Sequence, residues 1–485
     1  MEEKPSVKKN YMYSMIYQGL IMVLPLVTAP YLSRVVGAEG TGIYAFTYSI
    51  AQYFVYFGML GVSNYGNRGI AKVRENYGER VSFFSSVYQL QITTTIISIS
   101  AYLVYCFLFV DNNKDIAILQ LFFVASSLFD ISWLFWGMEN FKVTVTRQII
   151  VKVGSAVGVF IFVKSPSDLW KYTMILSGGT FLSQLYLFIK LKMYARYTPV
   201  KMSESFRHFK TVFILVIPII ATSIYRVMDK VMIGALSNKT EVGYYEYSDK
   251  LITTSLGIVG ALGSVMLPKM ANLVSKGDLK QQHKYLIKSI EVTMLIAFAI
   301  CFGIFSISDM FIPFFYGEEY YPSINITKLL CVSVPFIAWA NVVRMQYLIP
   351  NERDKVYVWS IVIGALTNIA VNFALIPNYG AFGAAIGTVC AEAIVMLVQT
   401  FASIRYIPIV AFVKKSIPFF FIGLTMLFVV QGFFFVVGST NITMFVSIII
   451  GGAWYTIASL IYLYYTQNEM LLSILSKIKN LKHNK

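Results

Sequence analysis

Apolar residues fall into fourteen long runs separated by short polar segments. Each run is close to or longer than the roughly 20 residues that a helix needs to cross a bilayer. Because lipid cannot hydrogen-bond an exposed backbone, helix is the structure expected for such runs. The pattern therefore predicts an all-α, polytopic membrane protein with 14 transmembrane helices. The spans are numbered in chain order: 11–35, 41–64, 82–109, 116–138, 143–163, 172–190, 211–236, 242–266, 286–307, 323–349, 356–377, 380–404, 415–437 and 441–466.

Composition agrees with this prediction. Of the 485 residues, 57% are hydrophobic and 13% charged, where a soluble domain carries about 25% charged residues. These values exclude a soluble enzyme and a nucleic-acid-binding domain. The four cysteines lie in apolar runs without a CxxC pair, and there are three histidines. The sequence therefore predicts neither a metal centre nor a cofactor, apart from a candidate coupling cation.

The distribution of Lys and Arg predicts the orientation of the chain. With the N-terminus placed in the cytoplasm, and residues at span ends assigned to the nearest segment, inner segments carry 29 of the 40 Lys and Arg residues. Outer loops carry 5, and the other 6 lie within spans. Cytoplasmic loops are enriched in Lys and Arg, so both termini are predicted to be cytoplasmic. The same bias explains the net charge of +16 without a nucleic-acid partner.

A repeated segment divides the chain into two predicted lobes. Arg34-Val-Val-Gly37 followed by Gly42-Ile-Tyr44 corresponds to Val231-Met-Ile-Gly234 followed by Gly243-Tyr-Tyr245. An even number of spans separates the two segments, which predicts parallel repeats related by an axis along the membrane normal. The predicted parts are a cytoplasmic tail (1–10), an N-lobe (11–190), a linker (191–210), a C-lobe (211–404), spans 13–14 (415–466) and a basic amphipathic tail (467–485).

These repeats and three further motifs resemble Wzx-type oligosaccharide flippases. The resemblance covers nearly the whole chain and depends on the order and spacing of the motifs. The family belongs to the superfamily that also contains MATE-type exporters and the lipid II flippase. The motifs are Gly58–Ala71 near the end of span 2, Asp229–Gly234 with Glu241–Tyr245 around the turn from span 7 to span 8, and Ile376–Thr388 around the turn from span 11 to span 12.

The resemblance implies a two-lobed, V-shaped flippase. It would move undecaprenyl-diphosphate-linked oligosaccharide from the inner to the outer leaflet of the bacterial cytoplasmic membrane, for capsule, exopolysaccharide or O-antigen synthesis. Membrane lipids, a polysaccharide polymerase and glycosyltransferases are the partners implied. The resemblance implies a transporter and not an enzyme.

Ionisable residues within spans are the candidate substrate contacts, because charge inside a membrane is costly and commonly functional. An Arg- and Lys-lined cavity would replace the water that a diphosphate loses. Arg226 and Lys230 share a face of span 7, and Asp229 lies beside both, so a structural ion pair is the alternative reading. The predicted cavity residues are Lys152, Arg226, Lys230, Lys250, Arg34 and Arg344, with Lys328 as a weaker candidate.

A second candidate site would hold a coupling cation. Asn368 and Asn372 are four residues apart on span 11, so both side-chain oxygens share a face. Together with Asp229 and Thr388, they could form an oxygen cage for Na⁺. Coupling to H⁺ remains open, and hydrogen bonding between helices is the alternative role for these side chains.

Two other functions are compatible with this number of spans. A MATE-type exporter of small molecules would share the architecture, but a surplus of intramembrane cations favours an anionic cargo. An oligosaccharide polymerase would be expected to have a large outer loop, whereas the longest predicted outer loop here is 308–322.

Overall fold

The computed structural model describes residues 7–468, with side chains from residue 19 onward except 21–22, 217–218, 221–222 and 224–226. Within this range the secondary structure is helical and contains no strand, so the all-α prediction is confirmed. Nine helical ranges in the described part are long and apolar enough to cross a membrane. The amphipathic helix predicted for 467–485 lies outside the described residues except at its first two positions.

The first of two compact units comprises residues 7–246 and 372–381. It contains spans 1–7 and the start of span 8. Its helices are Val7–Met59, Val62–Val73, Tyr77–Leu108, Lys114–Leu119, Leu121–Ser126, Ser132–Gly137, Phe141–Phe162, Leu169–Lys190, Met202–Phe206, Phe209–Leu236 and the beginning of Lys239–Ser255.

The second unit comprises residues 247–371 and 382–468. Besides the rest of Lys239–Ser255, it contains a short π-helical segment, Arg344–Leu348, near the end of span 10. Its other helices are Gly257–Ser275, Leu279–Tyr316, Ser323–Cys331, Ser333–Val343, most of Asp354–Ser403, Ile409–Val437 and Asn441–Tyr465. The division of the chain into two six-span lobes remains a prediction.

In two pairs of consecutive spans, the two helices follow each other directly and are separated only by a turn at one glycine. Spans 1 and 2 meet at Gly37, and spans 11 and 12 meet at Gly380. Their φ angles of 74° and 52° lie in the left-handed region, which glycine enters without the steric cost that a Cβ atom brings.

Span 4 differs from the single helix predicted over 116–138. It consists of three short helices with a break at 127–131. Gln91 of span 3 donates its Nε2–H to the carbonyl oxygens of Ser127 (2.8 Å) and Asp130 (3.0 Å), and Tyr88 donates to the carbonyl of Leu128. Because a neighbouring helix satisfies the freed carbonyls, the helix can break at membrane depth.

The segment that links spans 6 and 7 is fastened to span 3. Gln89 donates to the carbonyl oxygen of Val200 (2.8 Å) and accepts from its amide (2.9 Å). One turn earlier, the Ser85 hydroxyl accepts from the amide of Thr198. The linker therefore has a defined course along the first unit.

Candidate transport site

An ion pair joins spans 7 and 8 in the first unit. Lys230 Nζ lies 2.6 Å from a carboxylate oxygen of Glu246, and both side chains are about one-fifth exposed. Charges in a partly desolvated position attract each other more strongly than in water. Sequence reasoning did not select Glu246, although an acid within an apolar run is the same signal that selected Asp229. The pair gives Lys230 a counter-charge while leaving part of it accessible.

Asp229 lies at the centre of a buried hydrogen-bonded cluster. The hydroxyl of Tyr245 and the side-chain amide of Asn372 donate to its two carboxylate oxygens, each at 2.6 Å. Asp229 is 3% exposed and Asn372 is fully buried. Two of the four residues predicted for the cation site therefore contact each other directly, through an amide donor. Tyr245 is the third member of this cluster, and the prediction of the cation site did not include it.

The other two residues of that prediction belong to the second unit. Asn368 is buried, and the Thr388 hydroxyl donates to the carbonyl oxygen of Ala384 in its own helix. The assignment of these residues to a cation site stays a prediction.

The remaining predicted cations occupy varied environments. Lys152 and Arg34 are both exposed. The guanidinium of Arg34 donates to the carbonyl oxygen of Pro30. Lys250 and Arg344 are half-buried beside tyrosine rings. The side chain of Arg226 lies outside the described part of the chain, so the preferred candidate of span 7 stays a prediction.

Two charged residues have partners within their own unit. Lys328, the weaker candidate, contacts both carboxylate oxygens of Asp309 at 2.7 Å. Arg147, which sequence reasoning did not select, is buried in span 5 and donates to the carbonyl of Ser183 and the side chain of Gln184. Arg147 lies at the predicted inner end of an apolar run, where its charge looks like that of a loop residue.

The predicted outer turns of the two repeats are in reciprocal contact. A Cβ atom at Gly42 would lie 1.6 Å from the carbonyl oxygen of Lys239, and one at Gly243 would lie 2.0 Å from that of Ala38. Gly42 and Gly243 occupy equivalent positions in the sequence repeat. Since a real side chain cannot approach so closely, both glycines are required for this contact. We call it the glycine junction.

Two polar side chains of the turn from span 7 to span 8 make further contacts. The ammonium of Lys239 lies 3.1 Å from the centroid of the Phe46 ring and donates to the carbonyl of Gly234. The Glu241 carboxylate accepts the amide of Ala381 at 2.8 Å, just after the turn from span 11 to span 12. The Lys239–Phe46 contact therefore adds to the glycine junction, and the Glu241–Ala381 bond joins the turn between spans 7 and 8 to the turn between spans 11 and 12.

A large apolar groove of about 640 Å³ runs between spans 5 and 6. Glycines from both helices line it, including Gly154, Gly158 and Gly178, and Trp170 and Lys171 lie at its predicted outer end. A second cavity of about 510 Å³, in the second unit, is lined mainly by aromatic and aliphatic side chains. Each could accommodate hydrocarbon.

Comparison with solved structures identifies the fold. The fold is similar to that of the lipid II flippase MurJ in an inward closed conformation, with a TM-score of 0.75 and 20% identity over 94% of this chain and all of that one. An inward-facing MATE-family multidrug transporter gives a TM-score of 0.55 and 12% identity over 81% of this chain and 99% of that one. The chain therefore has the fold of multi-pass membrane transporters.

Residues 7–274 match the family described as polysaccharide biosynthesis protein, and the chain belongs to that family. It is 22% identical over 404 residues to a protein of Shigella dysenteriae described as an O-antigen transporter, covering 81% of this chain and 98% of that protein. A glycan biosynthesis flippase of Haloferax volcanii is 25% identical over 245 residues, about half of each chain. These findings confirm the resemblance to Wzx-type flippases. The relatives are transporters and flippases, not enzymes, as predicted for this chain.

Proposed function

We propose that the protein flips a lipid-linked oligosaccharide across the bacterial cytoplasmic membrane, with both termini in the cytoplasm. The observation that carries the proposal is the likeness of the fold to a lipid II flippase over 94% of the chain. Membership of a polysaccharide biosynthesis family favours a glycan cargo over the small molecules of MATE-type exporters. Undecaprenyl-diphosphate is the carrier, and the repeat unit serves capsule, exopolysaccharide or O-antigen synthesis.

The glycine junction supports an alternating-access mechanism. In the proposed orientation, the contact of Gly42 with Lys239 and of Gly243 with Ala38 closes the outer ends of spans 1, 2, 7 and 8. The substrate then enters from the inner leaflet while the junction is closed. Separation of these turns releases the glycan on the other side. Glycosyltransferases act before this step, and a polymerase acts after it.

Cations inside the membrane provide the proposed path for the diphosphate. Lys152, Arg226, Lys230 and Lys250 are the substrate contacts that we assign, with Arg34 and Arg344 nearer the ends of spans. The Lys230–Glu246 pair supports this role because an incoming diphosphate can compete with the carboxylate for the ammonium. Guanidinium and ammonium groups supply the hydrogen-bond donors that phosphate oxygens lose on leaving water.

The membrane potential contributes to the proposed driving force. When the inside of the membrane is negative, outward movement of a negative charge is favourable by about 2.3 kcal/mol per charge per 100 mV. A returning cation, Na⁺ or H⁺, would reset the carrier at Asp229, Asn368, Asn372 and Thr388. Asp229 accepts hydrogen bonds from two neutral side chains, and it is the acidic residue of this proposed site.

A reconstituted flipping assay tests the proposal. A fluorescent polyprenyl-diphosphate oligosaccharide is placed in proteoliposomes, and its exposure in each leaflet is followed by an impermeant quencher under an imposed potential. We expect exchange that depends on the protein and falls at least tenfold in Lys152→Ala/Arg226→Ala. No acceleration over protein-free vesicles would reject the function, whereas unchanged flipping in the double variant would reject the cationic path alone.

A separate arm of the assay tests the coupling cation. The rate is compared under a Na⁺ gradient at equal pH and under a pH gradient without Na⁺. We expect one gradient to accelerate flipping and Asp229→Asn to abolish that acceleration. A rate independent of both gradients would reject the proposed cation site.

A further inference from the structure

Two adjoining cavities open in the first unit at the predicted outer surface. The first, of about 260 Å³, is lined by Phe46, Tyr105, Lys239 and the loop from Asp111 to Asn113. We call it the junction cavity, because Lys239 and Phe46 also belong to the contact between the two repeats. The second, of about 280 Å³, which we call the loop cavity, is lined by residues from the turns after spans 1, 3 and 5. Ile43 and Asn113 line both cavities.

Exposed or half-buried polar side chains line both cavities. In the described part of the chain, five polar side chains that line them make no hydrogen bond or ion pair with the rest of the protein. Asn113 precedes the helix Lys114–Leu119, yet its side chain does not cap that helix. The five are Glu39, Asp111, Asn112, Asn113 and Asp115. Carboxylates and amides together can accept from and donate to hydroxyl groups.

Each cavity also has an aromatic wall. Tyr105 contributes to the junction cavity, and Trp170, which is 49% exposed, contributes to the loop cavity. The ammonium of Lys239 is held over the Phe46 ring. An exposed ring beside polar groups suits a ligand that has both an apolar face and a polar edge. A sugar ring has this combination, with C–H bonds on its faces and hydroxyls around its edge.

The charge of the lining restricts the class of sugar. Three carboxylates, of Glu39, Asp111 and Asp115, face the two cavities, against the single ammonium of Lys239. A diphosphate or a uronic acid would experience repulsion from the three carboxylates. Neutral sugars, or amino sugars with a free ammonium, fit the lining best.

We infer that the two cavities form a binding site for neutral or amino-sugar residues on the outer face of the protein. This inference rests on the proposed function and orientation, since the ligand would be the glycan after its transfer. The junction cavity takes walls from both repeats, with Ile43 and Phe46 on one side and Gly234 and Lys239 on the other. A sugar bound there favours the closed glycine junction, because a ligand stabilises the conformation that binds it. The glycan on the outer side thereby slows further flipping.

Binding of soluble disaccharides tests the site directly. The full-length protein in nanodiscs is mixed with maltose, with the disaccharide of glucosamine, or with a glucuronate-containing disaccharide, and saturation-transfer NMR measures contact. We expect signals from the first two sugars and at least a fivefold weaker signal from the third. Absence of signal from all three, or equal signals from all three, would overturn the inference.

A double variant tests whether the saccharide binds in these two cavities. Asp111→Ala/Asn113→Gly removes two polar groups, and glycine retains the positive φ of 57° at position 113. We expect at least a fivefold loss of signal, whereas Asp354→Ala, an exposed acid near the predicted inner side, should leave binding unchanged. Equal binding by the double variant would overturn the site.

The flipping assay then separates this inference from the proposed function. Maltose added outside the vesicles should slow flipping by the wild-type protein by twofold or more, and should not slow the double variant. Flipping without saccharide binding or inhibition would overturn the site and leave the proposed function intact. Saccharide binding by a protein that does not flip would reject the proposed function instead.

Discussion

At the scale of single residues, Lys230 and Glu246 lie 2.6 Å apart in a partly buried position. Removing one partner leaves the other charge poorly solvated, which costs about 1–3 kcal/mol. We therefore predict that Lys230→Ala and Glu246→Ala each lower the apparent Tm of the purified protein. The double variant should be more stable than the sum of the single effects predicts, as measured by thermal unfolding in detergent.

The Lys328–Asp309 pair provides a matched control for this double-mutant cycle. Its carboxylate is 53% exposed, and exposed pairs contribute about 0–1 kcal/mol. Its coupling should therefore be smaller than that of Lys230 and Glu246. Additive effects at Lys230 and Glu246 would show that their contact does not stabilise the fold.

His208, just before span 7, gives the protein a predicted pH dependence. Its Nδ1 lies 2.7 Å from the hydroxyl of Tyr65, and burial, followed by the charge of Arg207, lowers the pKa of the imidazole below its usual value. The unfolded chain therefore takes up a proton at a higher pH than the folded one does. Stability should fall as pH drops below about 6.5.

Measurement of the apparent Tm between pH 7.5 and pH 5 tests this prediction. His208→Gln keeps a hydrogen-bonding side chain but does not titrate, so it should flatten the dependence. His283→Gln is the control, because His283 is half-buried and its Nε2 lies 2.8 Å from the backbone oxygen of Tyr406 rather than from a side chain. An equal fall in stability for the wild type and His208→Gln would refute the prediction.

At the scale of elements, span 4 shows how a transmembrane helix can break. The side chain of Gln91 binds the carbonyls of Ser127 and Asp130 and also accepts from the indole of Trp133 at 3.0 Å. Leucine at position 91 would leave these groups unsatisfied, at about 1–3 kcal/mol for each buried group. We predict that Gln91→Leu strongly reduces the yield of folded protein and its apparent Tm.

Size-exclusion profiles and thermal unfolding measure this effect. The control is Thr93→Val on the same helix, since Thr93 donates only to the carbonyl of Gln89 one turn earlier. It should change the apparent Tm little. Wild-type behaviour of Gln91→Leu would mean that the break in span 4 does not depend on span 3.

At the scale of the whole molecule, the glycine junction is the contact that the proposed transport cycle must open and close. Any side chain at Gly42 or Gly243 would overlap a backbone carbonyl of the other repeat. We predict that Gly42→Ala and Gly243→Ala disfavour the closed junction and reduce flipping at least tenfold. The half-buried Lys239, replaced by Cys, should react faster with an impermeant maleimide in both variants than in the Gly parent.

Gly432→Ala is the control for this prediction, because a Cβ atom there meets nothing within 4 Å. It should retain the flipping rate and the labelling rate at position 239. Unchanged flipping in both junction variants would show that closure of these turns is not part of the cycle.

Much of the fold was predictable because membrane-spanning helices are encoded locally. Long apolar runs such as those of spans 5, 6, 13 and 14 correspond to helices in the structure, since each must satisfy its own backbone in lipid. Span 4 was not predictable in this way. Its sequence is as apolar as the others, and the groups that permit its break belong to span 3.

The candidate site was predictable in its residue types but not in its partners. The sequence selects Lys230 and Asp229 because charges in apolar runs are rare. Their contacts with Glu246 and Tyr245 depend on how spans 7 and 8 pack, and no spacing within one helix specifies that packing. The proposed saccharide-binding site was not predictable for the same reason, since its polar residues come from separate turns that look like ordinary loops.

The sequence by itself determined that this chain is a helical membrane protein, which way it is predicted to face, and which family it resembles. Hydrophobic length and charge bias act on each segment separately, so they can be read along the chain. The tertiary structure alone decided which charges pair, where a helix breaks, and that Gly42 and Gly243 meet the opposite repeat. These features arise from side chains distant in sequence, whose contacts exist only after the helices have packed.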